Sequence, residues 1–220
     1  MNKKLVIKKK IVIDATLIKK TVLMLIAVSI MGICAAILDR TNAGPDPFTA
    51  MNLGASRLLN MPIGNYQLIF NIILLLIVLF GNRKLLGLGT LGNMVVVGYF
   101  IQFTNWLMDD ILHVPTEFGI VTRVVVSAIA LLIFVAACSV YLNCDLGAAP
   151  YDALPYMIHN GVQKVLKREY AFKITRMCYD GLATVVALLL GGSVGPLTVG
   201  MVVLLGPTID LFNKWMKKLF

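Results

Sequence analysis

Two stretches of this chain place proline, glycine and carboxylate side chains between long apolar runs. The first is AGPDPFTAMN at residues 43–52, and the second is LGAAPYDALP at 146–155. Each contains a proline that suits the first turn of a helix, and Asp46 or Gly44 could cap the first of these helices. Helix N-termini carry about half a positive charge and unpaired N–H groups. Two such termini facing one cavity would favour an anionic or carboxylate-bearing solute.

Polar and ionisable side chains also lie inside the apolar runs, where a charged residue costs about 3 kcal/mol unless it is partnered or hydrated. Asn71 lies at the centre of one run, and Arg176 and Asp180 lie four residues apart in another. Residues at i and i+4 share one face of a helix, so Arg176 and Asp180 can pair. Two interpretations stay open. One is a salt bridge near the cytoplasmic interface; the other is a cavity where Asp180 titrates or coordinates an ion and Arg176 contacts a solute.

The candidate substrate-binding residues come from both groups. They are Asp46, Thr49, Asn52, Asn71, Tyr151, Asp152, Arg176 and Asp180. The sequence contains no recognisable Ser-His-Asp set, paired catalytic carboxylates, phosphate loop or His-Cys metal cluster. We therefore expect no enzyme, no catalytic residue, no metal site and no cofactor. The four cysteines are isolated and are typical of small packing residues in membrane helices.

The elements that must position these side chains are membrane-spanning helices. Hydrophobic residues make up 59% of the 220-residue chain and charged residues 14%, whereas soluble domains carry about 25% charged residues. A helix that crosses a bilayer needs about 20 consecutive apolar residues. Six stretches satisfy this requirement: 20–38, 63–81, 86–107, 121–142, 173–192 and 195–213. The sequence therefore predicts an all-α membrane protein with six transmembrane helices.

The positive charge is distributed unevenly across the predicted membrane. With both termini in the cytoplasm, 17 of the 20 lysine and arginine residues lie on the cytoplasmic side, and Arg40, Arg57 and Arg123 lie outside. This positive-inside bias explains the net charge of +9 without a nucleic-acid partner. It predicts a multi-pass protein of the bacterial plasma membrane with cytoplasmic N- and C-termini. Residues 1–19 are predicted to lie on the inner leaflet, with a disordered basic tail as the alternative.

An internal repeat divides the chain into membrane units at 20–112 and 113–220. The proline motifs align at an offset of 103 residues, and the helices that follow align at offsets of 108 and 109. The aligned pairs are Gly44 with Gly147, Pro47 with Pro150, Phe48 with Tyr151, Gln67 with Arg176, Asn71 with Asp180, and Thr90 with Thr198. Three crossings per unit is an odd number, so the second unit enters the membrane from the opposite side. Inverted repeats of this kind form many secondary transporters.

Each repeat also contains a short helix that begins at its proline. The helices predicted over 46–60 and 149–163 would span about 21 Å at 1.5 Å per residue, which is too short to cross a bilayer. They either lie on the two membrane surfaces or re-enter the membrane with their N-termini near its middle. Irregular backbone at that depth must line a cavity or be packed in protein.

These motifs resemble those of the YczE/YitT family of bacterial integral membrane proteins. The similar segments are G-x-D-P-F-T-A-x-N-x-G at 44–54, G-x-G-T-L-x-N at 87–93 and D-L-G-A-A-P-Y-D-A-L at 145–154. The resemblance extends over residues 20–215. It implies a plasma-membrane protein of this topology and does not imply a substrate.

Transport is the function that the repeats and buried polar groups favour. The predicted protein is a secondary transporter of a small, anionic or carboxylate-bearing solute, with H+ or Na+ as the coupling ion through Asp180 or Asp152. Its expected partners are the lipid bilayer, the solute, the coupling ion and, as a further option, a second copy in a homodimer. Two alternatives stay open: a substrate-binding membrane subunit of an ATP-driven importer, and a non-transporting accessory or regulatory membrane protein.

Overall fold

The computed structural model describes residues 14–167, 171–204 and 207. Within these residues the chain is helical apart from short connections. The long elements, numbered in chain order, are α1 Ala15–Arg40, α2 Pro47–Leu58, α3 Ile63–Gly81, α4 Leu88–Trp106, α5 Ile120–Asn143, α6 Pro150–Leu166 and α7 Phe172–Leu189. A further helical segment covers 196–204. The predicted all-α class is confirmed.

Three of the described helices, α1, α3 and α5, are long and apolar enough to cross a membrane. This finding supports the prediction of a membrane protein. The helix α1 begins at Ala15, earlier than predicted, because the Asp14 carboxylate accepts a hydrogen bond from the Ala15 N–H at 2.7 Å. The helices α4 and α7 lie where crossings were predicted, but their polar residues make them less apolar. Most of the predicted basic segment 1–19 and part of the predicted crossing 195–213 lie outside the described residues.

The largest apolar core forms where α1 packs between α4 and α5. Small residues allow α1 to approach α4 closely. A Cβ atom added at Gly32 would lie 2.7 Å from the Phe100 Cβ and 2.7 Å from the Val97 carbonyl oxygen. Close contact through small residues is the usual packing of helices in a membrane, where water does not drive the helices together. This core therefore holds α1, α4 and α5 together.

The short helices α2 and α6 begin at their prolines, as the sequence predicts. Asp46 caps α2, since its carboxylate accepts a hydrogen bond from the Thr49 N–H at 3.1 Å. Each short helix contacts both α3 and α7. The helices α2 and α6 thus occupy corresponding positions in the two halves of the chain.

The connections that precede α2 and α6 make matching hydrogen bonds to the opposite half of the chain. The Thr198 hydroxyl donates to the Pro45 carbonyl, and the Thr90 hydroxyl donates to the Ala148 carbonyl, both at 2.7 Å. Two backbone hydrogen bonds make a second matching pair. The Leu197 N–H donates to the Ala43 carbonyl at 2.9 Å, and the Gly89 N–H donates to the Leu146 carbonyl at 2.6 Å. The repeat alignment relates both pairs. Each half therefore holds the proline motif of the other half in the same way.

Valine at Thr90 or Thr198 is expected to lower the free energy of unfolding by about 1–3 kcal/mol, because a buried carbonyl loses its partner. Both hydroxyls are buried, and each also accepts a backbone N–H. Thr104→Val is the control, since the Thr104 hydroxyl donates only to the Phe100 carbonyl one turn earlier in the same helix. Chemical unfolding in detergent micelles measures the three losses. A loss at Thr104 as large as the other two would contradict a special role for the cross-half bonds.

Candidate functional site

The N-terminal ends of α2 and α6 meet between the two halves of the chain. The ring centroids of Phe48 and Tyr151, each of which directly follows a helix-starting proline, lie 4.3 Å apart. Together with Leu74 of α3 and Ala183 of α7, these rings form a buried apolar cluster. We call these four residues the central aromatic cluster. The repeat alignment pairs Phe48 with Tyr151 and Leu74 with Ala183, so each half contributes equivalent positions.

Arg176 of α7 forms two ion pairs beside this cluster. Its Nε lies 2.7 Å from the Asp180 Oδ2, and its Nη1 lies 2.8 Å from the Asp152 Oδ1 on α6. The Tyr151 hydroxyl donates to the other Asp180 oxygen at 2.8 Å. The Asp180 side chain is only 3% exposed, so its charge depends on these partners. The pair that the i, i+4 spacing predicts is present, and the second proline motif supplies two further members.

Asp46 brings a third carboxylate close to this group from the first proline motif. It lies in the connection between α1 and α2, where burial raises the pKa of its carboxyl. Hydrogen bonds from Thr49 lower this pKa, and repulsion from Asp152 and Asp180 raises it further. Of these three carboxylates, Asp152 and Asp180 bind the Arg176 guanidinium. An anion that replaced Asp152 or Asp180 at Arg176 would leave that carboxylate without its counter-charge.

The first half carries amides where the second half carries charges. On α3, Gln67 and Asn71 occupy the positions that align with Arg176 and Asp180 on α7. Asn71 and Asn52 are 1% and 0% exposed, and neither amide group has a hydrogen-bond partner in the described structure. The Gln67 Oε1 is also buried without one. Because unpaired buried polar groups cost about 1–3 kcal/mol each, their presence needs an explanation.

Five of the eight predicted residues lie close together: Asp46, Tyr151, Asp152, Arg176 and Asp180. Thr49 is buried and bonds to Asp46 through its backbone. Asn52 follows Phe48 by one helical turn on α2, and Asn71 precedes Leu74 by three residues on α3. The structure thus places these two amides next to the central aromatic cluster, on the side of the first half.

Sequence reasoning missed three residues of this region as site members: Phe48, Gln67 and Tyr179. The Tyr179 ring centroid lies 4.7 Å from that of Tyr151, and the Arg176 guanidinium carbon lies 5.5 Å from the Tyr151 centroid. The alignment of Gln67 with Arg176 could have identified Gln67. Within the described residues, no three His, Cys, Asp or Glu side chains lie close enough together to hold a metal ion.

A pocket of about 400 Å³ opens at the opposite end of α2 from the cluster. We call it the α2–α3 pocket; its lining includes Leu53, Ser56 and Arg57 of α2 and Ile63 of α3. The Arg57 guanidinium donates at 2.8 Å to both the Asp39 carboxylate and the Ser193 hydroxyl. These bonds join the ends of α1 and α2 to the connection that follows α7.

Comparison with known proteins places the chain in a family. Residues 18–214 match the model of a family of unknown function, DUF6198. A protein of Haemophilus influenzae, described as uncharacterized, is 29% identical over 191 residues, which cover 86% of this chain and 81% of the relative. No solved structure matches the chain. Since the family match extends over nearly the whole sequence, the chain belongs to the DUF6198 family.

Proposed function

We propose that this protein is a secondary transporter of a small solute and works by alternating access of two inverted repeats. The observation that carries the proposal is the meeting of α2 and α6 at a partly buried group of charges. In many transporters the substrate site lies at the interface of two repeats, where the N-termini of broken helices point at the substrate. The central aromatic cluster and the Arg176 ion pairs, which lie where α2 and α6 begin, support such a site in this chain.

The inverted arrangement draws support from the contacts that recur in the two halves. The hydrogen bonds of Thr90 and Thr198 to the opposite proline motifs are one such pair. In this proposal α4, α7 and the predicted crossing 195–213, of which the structure describes 196–204 as helix, complete the six crossings. Phe48 packs with Leu74, near the middle of α3. If α3 spans the bilayer, α2 begins near the bilayer centre, which favours a re-entrant helix over a surface helix.

The charges of the site support a carboxylate-bearing solute whose binding is coupled to a cation. A solute carboxylate would replace Asp152 or Asp180 at Arg176, and the released carboxylate would then need a counter-charge in a buried site. Binding of H+ or Na+ to that carboxylate supplies it. This exchange gives the coupling ion a physical role, since the solute and the cation each make the other's binding more favourable.

The charge distribution and the motifs support a location in the plasma membrane. The excess of lysine and arginine in the predicted cytoplasmic loops supports a plasma-membrane protein with cytoplasmic termini. The motifs at 44–54 and 145–154 further suggest that this chain is related to the YczE/YitT family of bacterial membrane proteins.

A transport assay with a matched carboxylate control tests the proposal. A thermal-shift panel of amino acids, organic acids, nucleosides and vitamins selects the solute, because a ligand stabilises by RT ln(1 + [L]/Kd). Uptake is then measured in proteoliposomes under an imposed H+ or Na+ gradient. We expect Asp180→Asn to abolish gradient-driven accumulation, because the buried carboxylate is lost, while the exposed Asp110→Asn behaves as wild type.

Two outcomes would count against this assignment. Unchanged accumulation in a folded Asp180→Asn protein would remove Asp180 from the coupling step. A wild-type protein that accumulates no solute under either gradient, and whose stability no solute changes, would contradict transport itself.

A further inference from the structure

The face of α2 between the α2–α3 pocket and the central aromatic cluster carries an uncharged polar side chain. Ser56, Asn52 and Phe48 lie four residues apart and therefore share one face of the helix. Ser56 lines the pocket, and Phe48 belongs to the cluster. Asn52 lies between them and is fully buried.

The facing helix α3 repeats this pattern. Ile63, Gln67 and Asn71 lie four residues apart, and Leu74 follows on the same face. Ile63 lines the α2–α3 pocket, and Leu74 belongs to the central aromatic cluster. Since α2 and α3 contact each other, the two faces lead from the same pocket to the same cluster.

Buried amide atoms of Asn52, Gln67 and Asn71 along these two faces lack partners. The amide nitrogen and oxygen of both Asn52 and Asn71, and the Oε1 of Gln67, make no hydrogen bond in the described structure. Folded proteins pair most buried polar side-chain atoms with protein groups or with ordered water. Two unpaired amides and one unpaired amide oxygen between a pocket and a charged site therefore indicate a position that a polar ligand occupies.

We propose that Asn52, Gln67 and Asn71 bind an uncharged group of the solute that both donates and accepts hydrogen bonds, such as a carboxamide. An amide side chain offers a donor and an acceptor, so a carboxamide can pair with both. The two helix faces contain no ionisable residue between pocket and cluster, and a charged group there would lose its hydration without a counter-charge. The inference rests on the proposed transport function. It adds that the charged end of the solute binds at Arg176 and the uncharged polar part binds at these amides.

Cysteine labelling in proteoliposomes tests whether a polar ligand reaches these positions. The variants Asn52→Cys and Asn71→Cys are made in a Cys178→Ser background, because Cys178 is exposed and the other cysteines are buried. Val78→Cys is the control, since Val78 is fully buried on the same helix α3 beyond Leu74. With a small uncharged methanethiosulfonate, we expect the two test positions to react more than about tenfold faster than Val78→Cys, which reacts only when the packing opens.

Acetamide and sodium acetate, which have the same shape and differ in charge, identify the ligand class. We expect acetamide to slow labelling at Asn52→Cys and Asn71→Cys and acetate to leave it unchanged. Labelling as slow as that of Val78→Cys would overturn the proposal. Protection by acetate, or by neither compound, would overturn it as well, the last result meaning that the amides bind water alone.

The variant Asn71→Leu gives a second measurement that needs no cysteine. An apolar side chain of similar size removes the unpaired amide, so the melting temperature without ligand should rise while stabilisation by acetamide is lost. A lower melting temperature would mean that Asn71 already has a partner and would overturn the proposal. Neither measurement requires transport, so a protein that binds acetamide here but accumulates no solute contradicts only the transport function.

Discussion

Replacement of Arg176 by glutamine is expected to lower the free energy of unfolding by about 3–5 kcal/mol, because removing one partner leaves a buried charge unpaired. Most of the loss should come from Asp180, whose side chain is 3% exposed, since Asp152 at 29% keeps some contact with water. Chemical unfolding in micelles measures the change. Arg83→Gln is the control, because Arg83 is exposed and surface substitutions usually change the free energy of unfolding by less than about 0.5 kcal/mol.

The double variant Arg176→Gln/Asp180→Asn gives the second half the two residues that the first half carries at Gln67 and Asn71. It removes the unpaired charge, and an asparagine at 180 can still accept the Tyr151 hydroxyl. We therefore expect it to recover most of the stability that Arg176→Gln loses. Accumulation of solute should stay absent in both variants. A double variant no more stable than the single one would contradict the view that the loss reflects an unpaired carboxylate.

The apolar runs predicted the long helices well, because a run of this length has few alternatives to a helix in a membrane. The predicted stretch 63–81 coincides with α3, and 121–142 differs from α5 by one residue at each end. The proline at each short helix and the Asp46 cap were also predictable, since both depend on residues next to each other in the chain. Local signals were sufficient for these elements.

The composition of the site was predictable only in part, because its contacts join distant segments. The Arg176–Asp180 pair was predictable because residues at i and i+4 share one face of a helix. The Asp152–Arg176 and Tyr151–Asp180 contacts join residues 24 and 29 positions apart and depend on how α6 packs against α7. No local pattern specifies that packing. Only the repeat alignment pointed to this packing, because it gives each half a proline motif followed by a helix with polar residues, α3 in the first half and α7 in the second.

The unpaired amides show a second limit of sequence reasoning. Asn52 and Asn71 were predicted to bind solute because they are polar residues in an apolar context. Their lack of protein partners is a property of the packed structure, and it separates them from Thr49 and Asp46, which bond to each other. A polar residue in a membrane helix is therefore a candidate for solute binding. Whether its polar atoms have hydrogen-bond partners within the protein decides whether it needs a ligand.

Alanine at Gly44 or Gly147 is expected to lower the free energy of unfolding by about 2–6 kcal/mol, from about 1–3 kcal/mol of backbone strain and a similar cost of overpacking. Their φ angles are +87° and +100°, which residues with a Cβ rarely adopt. A Cβ at Gly44 would overlap the Gly195 backbone and the Thr198 hydroxyl. A Cβ at Gly147 would overlap the Gly87 backbone.

Gly161→Ala is the matched control, because Gly161 lies within α6 and a Cβ added there would have no atom within 4 Å apart from its chain neighbours and the backbone of α6. Alanine suits a helix interior better than glycine, so this variant should gain up to about 1 kcal/mol. Unfolding in micelles compares the three variants. Because both glycines bring a proline motif against the start of a helix in the opposite half, similar losses are expected at the two positions. A large loss at Gly44 with none at Gly147 would mean that the two junctions are not equivalent, and the repeat that underlies the transport proposal would lose its main structural support.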